Sequence, residues 1–316
     1  MNEFASSQPL LSVVVPVYRE GYHLKTVLSA IRGAVEPLKE PYELIVVDDG
    51  SPDDTWSVIE EESRNIPMLR ALRLSRNFGK ESALSAGLEI ARGNAVIIMD
   101  GDLQHPPELI PEMVRRWRES GVDVVEAMKE SRGPEPLLNK LGARLFYLLL
   151  SKLSGYDLKG ASDYKLMDRR VVDAWRHMKE RNLFFRGMVV WLGFNRQQVS
   201  FSVPGREGGT SRWSIFRLVR LAITAVSGFS SLMLQLITIF GGLFLLLALY
   251  VGADALYSKA MGKAVSGFAT VIILQLIIGS LLMISLGIIG IYLGRIYDEV
   301  KARPRYIVTQ AIDRTE

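Results

Sequence analysis

Apolar residues fall into two regimes along this chain. Up to about residue 228 they form short runs separated by polar turns and by helix-spaced segments, and beyond it they merge into two long stretches. Leu10 to Val15 is a run rich in valine closed by Pro16, which predicts a first strand followed by a loop from Pro16 to Gly21. Leu24, Val27, Leu28 and Ile31 then recur at helical spacing, predicting a helix from Tyr22 to Ala34. Tyr42 to Val47 reads as a second strand that ends in Asp48-Asp49-Gly50-Ser51. The next segment, Ser51-Pro52-Asp53-Asp54, carries a hydroxyl cap, an early proline and acids at the positive helix end. Leu69 to Leu74 gives a third strand and Lys80 to Ala91 a helix. Ala95 to Met99 gives a fourth strand, Pro106 to Glu119 a helix, and Val122 to Ala127 a fifth strand. The alternation predicts an α/β domain with a mostly parallel sheet and helices on both faces.

The second regime has a different solvent. Phe229 to Ala253 and Ala264 to Gly294 carry no charge, and each exceeds the roughly 20 apolar residues that a bilayer core requires of a helix. Two transmembrane helices are therefore expected within 229–294, joined by a short external loop. Arg206, Arg212, Arg217 and Arg220 precede them, and Arg295, Lys301, Arg303 and Arg305 follow. That bias puts both ends on the cytoplasmic side of a cell membrane. Met1 to Pro9 is polar and shows no secretory pattern, so residues 1–212 are expected to form a cytosolic domain. Residues 213–228 space arginines between apolar positions, as a helix lying in the headgroup region would, and 295–316 form a cytoplasmic tail.

Candidate chemistry lies at the strand ends. Asp100-Gly101-Asp102-Leu103-Gln104 directly follows the fourth strand, which delivers two carboxylates and an amide oxygen at the edge where open α/β sheets bind ligands. Such hard oxygen donors suit Mg²⁺ or Mn²⁺ holding a diphosphate better than zinc. No glycine-rich dinucleotide loop follows the first strand, and no P-loop occurs, so phosphates must be held by other means. Cysteine is absent, which removes disulfides and thiolate metal sites from consideration. A net charge of +4 fits phosphate ligands and anionic lipid better than nucleic acid.

Four motifs in order, Val13 to Glu20, Val46 to Ser51, Arg76-Asn77-Phe78-Gly79-Lys80 and Met99 to Gln104, resemble family 2 glycosyltransferases of GT-A fold. Arg132-Gly133, Asp163 to Asp168, and Arg206 through Ser211-Arg212-Trp213, followed by two spans, extend the resemblance to the polyprenyl-phosphate glycosyltransferases. The resemblance implies that Pro16, Tyr18, Glu20, Asp48, Asp49 and Asp100 grip the nucleotide. It implies that Asp100, Asp102 and Gln104 hold the metal, and that Arg132, Arg206 and Arg212 bind acceptor phosphate. Arginine stands at 212 where the family usually has lysine. Asp157 falls at the candidate base position, where it either accepts a proton or only orients the acceptor, and a turn role for an Asp between Gly155 and Gly160 is equally open. His105 reads as a base or as local structure at a helix entry, the second reading being favoured by Pro106-Pro107 after it, and His23 and His177 receive no role.

The implied reaction is an inverting transfer of one sugar from a nucleotide-sugar to a polyprenyl phosphate. UDP-glucose is the favoured donor, and GDP-mannose the alternative. A phosphate monoester has a second pKa of about 6 and is already largely ionised at neutral pH, so a strong base is less necessary than for a hydroxyl acceptor. Two rivals stand beside this reading. A processive polysaccharide synthase would normally show Gln-x-x-Arg-Trp and more spans, whereas Gly209 precedes Arg212-Trp213. A non-enzymatic membrane protein is the second: a sugar-nucleotide binder would not need Asp100, Asp102 and Gln104, and a flippase subunit would not need the large cytosolic domain. Gly290-Ile291-Tyr292-Leu293-Gly294 permits close helix approach, from which a homo-oligomer is expected.

Overall fold

The computed structural model describes residues 10–102, 105–129, 162–178, 180, 185–201, 232–262 and 267–313. The chain divides into two compact units. The first is an eight-stranded sheet with helices, built from β1 (Leu11–Val17), α1 (Leu24–Val35), β2 (Tyr42–Asp48), α2 (Thr55–Asn65), β3 (Leu69–Leu74), α3 (Lys80–Ile90), β4 (Ala95–Ile98), α4 (Ile110–Ser120) and β5 (Val124–Lys129). It continues with β6 (Lys165–Asp168), α5 (Arg169–His177), α6 (Phe185–Trp191), β7 (Arg196–Phe201) and, from the end of the chain, β8 (Val308–Ile312). The strand order is β7-β5-β6-β4-β1-β2-β3-β8. β1 pairs in parallel with β2 and β4, β2 with β3, and β5 with β7. β6 and β8 run antiparallel to their neighbours.

Burial explains the continuous apolar runs. The residues of β1, β2 and β4 are almost all buried because helices cover both faces. Val13, Val15, Leu44, Val46 and Ile97 pack into one cluster with Leu24, Leu28 and Ile31 of α1, Ile59 of α2 and Met113 of α4. α3 lies against β1 and β2, with Ala83, Leu84 and Leu88 buried.

Several boundaries differ from the sequence pattern. β1 runs through Pro16 to Val17 rather than ending at the proline. β4 stops at Ile98, opposite Val14, while Val17 turns its carbonyl to Asp49 N beside β2. Alternate residues of a parallel strand serve opposite neighbours, so Pro16 faces the side where β4 has ended and no donor is missed. β5 lies two residues later than its apolar run suggests.

Three strands escape the pattern altogether, each for a physical reason. β6 contains Lys165, which is 0 % exposed; its ammonium lies 2.9 Å from the equally buried Glu126 on β5, so a charged residue occupies a core position. β7 buries only Val199 and Phe201. β8 is largely exposed and held by the β3 edge, with Ser75 N donating to Ile307 O at 2.8 Å. Asp313 beyond it accepts from Arg70 (2.8 Å) and Arg92 (3.1 Å).

The second unit holds α7 (Leu232–Ala260) and α8 (Phe268–Val300). Segments Ile237–Ala260 and Leu274–Val300 have mean hydropathies of 2.0 and 2.4, and both are long and apolar enough to cross a membrane. Among the described side chains, Leu243, Leu246, Leu282 and Ile284 are exposed, which a soluble core helix would not tolerate. Ser280 and Ser285 return their hydroxyls to Leu276 O and Leu281 O at 2.8 Å, satisfying polar groups without water. α8 extends to Val300, six residues beyond the charge-free stretch. The expected interfacial helix 213–228 lies outside the described residues.

Candidate active site

The loops after β1, β2 and β4, with the N-terminus of α3, meet over the carboxyl ends of the parallel strands. In the order β3-β2-β1-β4 the connections reverse direction beside β1, and that is where an open sheet leaves a crevice. A cleft of about 370 Å³ occupies the position, lined by Pro16, Tyr18, Glu20, Asp49, Lys80 and the Asp100-Gly101-Asp102 turn, among others.

The β1 loop is fastened by hydroxyls of its neighbour. Ser51 Oγ accepts from Arg19 N at 2.9 Å and Thr55 Oγ1 from Glu20 N at 3.1 Å, which supports the left-handed Arg19 (φ +60°). Tyr18 stays partly exposed at the cleft, with the Arg19 guanidinium 5.2 Å from its ring centroid. Burial raises the Glu20 carboxyl pKa; His23 partly offsets this, and Asp102 adds to it.

The two acids after β2 have separate duties. Asp48 is fully buried beneath the cleft; its Oδ1 accepts from Ser51 N at 2.9 Å and its Oδ2 lies 3.4 Å from Arg73 Nε. It anchors the loop and is not among the cleft-lining side chains. Asp49 accepts from Phe78 N (2.8 Å) and Gly79 N (2.9 Å), tying the start of α3 to the end of β2. Burial raises its pKa, and those two amides pull it back only in part.

Asp100 sits in a charged cluster assembled from distant parts of the chain. Lys80 Nζ lies 2.5 Å from Asp100 Oδ1 and 2.7 Å from Asp163 Oδ2. Arg186 grips Asp163 with two nitrogens, each at 2.7 Å. Burial alone would raise the Asp163 pKa, but Arg186 and Lys80 drive it far below the usual carboxylate range. Burial opposes the charge on Lys80, and Asp100 and Asp163 outweigh it, so its pKa rises. The neighbouring Glu81 is pushed up by burial to about 7, although Phe185 N donates to it at 2.9 Å.

Two histidines brace the Asp100 turn. Asp100 N donates to His105 Nδ1 at 3.3 Å, and the His105 ring stacks on Tyr164 at 5.0 Å. Burial lowers the His105 pKa despite nearby Asp100, as suits a ring nitrogen accepting an N–H. His23 Nε2 lies 3.1 Å from Gly101 O and 3.0 Å from Glu20 Oε2, bridging the β1 and β4 loops. A β-carbon at Gly101 would stand 2.9 Å from Val17 Cγ1, so the turn passes against β1 at a distance only glycine allows.

Pro16, Tyr18, Glu20, Asp49, Asp100 and Asp102 thus share one cleft. Gln104, Arg132, Asp157, Arg206 and Arg212 lie outside the described residues. Nothing local in the sequence marks Lys80, Arg186 or His23 for a role. Lys80 ends a quoted motif, but lysine before a helix is ordinary; Arg186 and His23 stand in plain helical contexts with no local sign of their partners.

No group of three His, Cys, Asp or Glu donors forms among the described residues. The donor set still suits a cation that keeps water and phosphate ligands. Asp100 Oδ1 is buried and accepts no well-aligned hydrogen bond, its contact with Lys80 being ionic, and Asp102 reaches the same cleft from two residues on. Mg²⁺ commonly uses one or two carboxylates with substrate phosphates.

Comparison with known proteins agrees with this architecture. Residues 12–174 match the family model described as glycosyl transferase family 2. An uncharacterized glycosyltransferase of Synechocystis is 40% identical over 301 residues, covering 95% of this chain and 94% of its own. A prophage bactoprenol glucosyl transferase homolog of Escherichia coli K12 is 34% identical over 300 residues, covering 94% and 98%. Among solved structures, mannosyl-3-phosphoglycerate synthase from Rubrobacter xylanophilus superposes with a TM-score of 0.50 at 20% identity, covering 69% of this chain and 72% of that one. With its GT-A fold and matched sequence, the chain belongs to glycosyl transferase family 2.

Proposed function

We propose that this enzyme transfers a single glucose from UDP-glucose, with inversion, to a polyprenyl phosphate at the cytoplasmic face of the cell membrane. The observation that carries the reading is the convergence of Asp100 and Asp102 with Pro16, Tyr18, Glu20 and Asp49 in one cleft, in a chain that also bears two exposed apolar helices. Full-length relatives named for bactoprenol glucosyl transfer support glucose and a polyprenyl acceptor. The chain enters α7 from the catalytic unit and, after α8, rejoins the same sheet as β8, which supports an even number of crossings with both ends on one side.

Pro16, Tyr18, Glu20 and Asp49 hold the nucleoside, the carboxylates of Glu20 and Asp49 accepting from hydroxyl or base N–H groups. Asp48 acts from below by fixing the loop that carries Asp49. Asp100, Asp102 and Gln104 would hold Mg²⁺ or Mn²⁺, which would supply charge neutralisation for the departing diphosphate. Arg132, Arg206 and Arg212 orient the acceptor phosphate, whose ionised oxygen attacks the anomeric carbon as the nucleoside diphosphate leaves from the opposite face. Asp157 orients that acceptor. A prenyl chain cannot leave the bilayer, so an enzyme acting on its phosphate works at the membrane, a need that two apolar helices meet.

The test offers undecaprenyl phosphate and Mg²⁺ with radiolabelled UDP-glucose or GDP-mannose. A one-sugar lipid product from UDP-glucose is expected. Mannosyl transfer would replace the donor, a polymer would favour the synthase, and donor binding without turnover would favour the binder.

A further inference from the structure

We propose that Lys80 is a resident counter-ion that occupies the cation site of Asp100 and competes with a divalent metal for it. The proposal rests on the reading of Asp100 and Asp102 as metal holders and deepens it.

The geometry is asymmetric in a way that makes displacement feasible. Lys80 bridges Asp100 Oδ1 at 2.5 Å and Asp163 Oδ2 at 2.7 Å. Asp163 is neutralised a second time by the two-pronged contact with Arg186. If Lys80 leaves, Asp163 keeps a full cationic partner. Asp100 does not, because Lys80 is the one full cation in contact with it among the described residues. His105 is 3.8 Å from Asp100 Oδ2 and uses Nδ1 to accept the Asp100 amide, so it contributes no positive charge there.

An ammonium at 2.5 Å and a divalent ion at about 2.1 Å on one carboxylate oxygen would stand roughly 4 Å apart and repel each other, so each weakens the hold of the other on Asp100. The side chain that holds the site also suits release. Lysine carries a compact, strongly hydrated charge on a flexible stem, and Lys80 is 39% exposed on the wall of the cleft. Once displaced it stays at the place where donor phosphates enter. Metal and nucleotide loading are thereby coupled: the metal takes Asp100 from Lys80, which keeps Asp163 and gains the donor phosphates in place of Asp100. The empty site meanwhile keeps a counter-charge on the partly buried Asp100 carboxylate.

The test measures Mn²⁺ alone, by the electron paramagnetic resonance signal of the free ion, against the purified full chain in nanodiscs without donor or acceptor. K80Q is expected to bind Mn²⁺ roughly tenfold tighter than wild type, a factor within the range of coupled sites. K80R should resemble wild type, and K80Q/D100N should bind no tighter than D100N. If K80Q matches wild type or binds more weakly while D100N loses Mn²⁺, the counter-ion role is overturned and the metal reading stands. If D100N and D102N both bind like wild type, the metal reading itself fails. A measurement on the unaltered chain removes any dependence on variant folding: Mn²⁺ should increase reductive methylation of Lys80, read by mass spectrometry, and unchanged labelling would overturn the proposal.

Discussion

Gly50→Ala tests whether the loops of the cleft are mechanically one piece. Gly50 has φ +66°, and an added β-carbon would lie 2.4, 2.6 and 2.8 Å from the carbonyl carbon, Cα and oxygen of Arg76. All three are backbone atoms, so no rotamer change relieves the clash. The left-handed backbone costs a β-carbon-bearing residue about 1–2 kcal/mol. Overpacking adds about 1–3 kcal/mol, which makes roughly 2–5 kcal/mol in all. At roughly 2–4 °C per kcal/mol, the catalytic unit should melt at least about 4 °C lower. The displaced segment runs into Asn77, Gly79 and Lys80, which line the cleft, so UDP affinity should fall about tenfold or more, as when well-positioned contacts are lost. Thermal melting by circular dichroism and UDP binding by calorimetry measure the two effects. Gly33→Ala is the control: nothing lies within 4 Å of its added carbon, on an exposed face of α1, and helix propensity makes that change neutral or stabilising. A Gly50→Ala protein that melts and binds UDP like wild type would refute the close approach of the β2 and β3 loops.

Glu81 provides a pH test. Its pKa of about 7 in the folded chain exceeds the ordinary 4.5, so the native state binds the extra proton. This stabilising contribution is full below pH 4.5 and is lost as pH rises through 7, by an upper estimate of about 3 kcal/mol. Glu81→Gln keeps an oxygen for Phe185 N and should flatten the fall of melting temperature between pH 5 and 8; an unchanged slope contradicts it. Removing residues 308–316 strips the edge of β3 and should lower the melting temperature and increase light scattering through edge pairing, whereas a monodisperse, equally stable protein would show β8 to be dispensable. Asp157→Asn should reduce glucosyl transfer less than Asp102→Ala; the reverse order, with acceptor binding intact, would make Asp157 the base.

Much of this was legible in the chain because burial on both faces leaves a plain record. The valine and isoleucine runs of β1, β2 and β4 are uninterrupted, and their terminal acids fall at the ligand-binding edge by topology alone. What stayed hidden depends on pairing across distance. Lys165 reads as a surface residue until Glu126 supplies its counter-charge. β8 reads as a charged tail because its backbone, more than its side chains, is what the sheet uses. The same holds in the site. Asp49 looks like a nucleotide ligand or a helix cap, yet both of its oxygens are engaged by amides about thirty positions away. Lys80, Asp163 and Arg186 come from three segments with no shared local signature. A two-residue offset at β5 and the strand that continues through Pro16 reflect register with neighbours, which local periodicity does not encode.

The central claim, that Asp100 and Asp102 hold a cation under a departing nucleotide beside a lipid acceptor, is tested most directly by one assay. Label from UDP-glucose is followed into undecaprenyl phosphate with wild type and Asp102→Ala, each with Mg²⁺ or with EDTA. The account predicts a one-sugar lipid product only for wild type with Mg²⁺. Equal product with EDTA, or from Asp102→Ala, would contradict it.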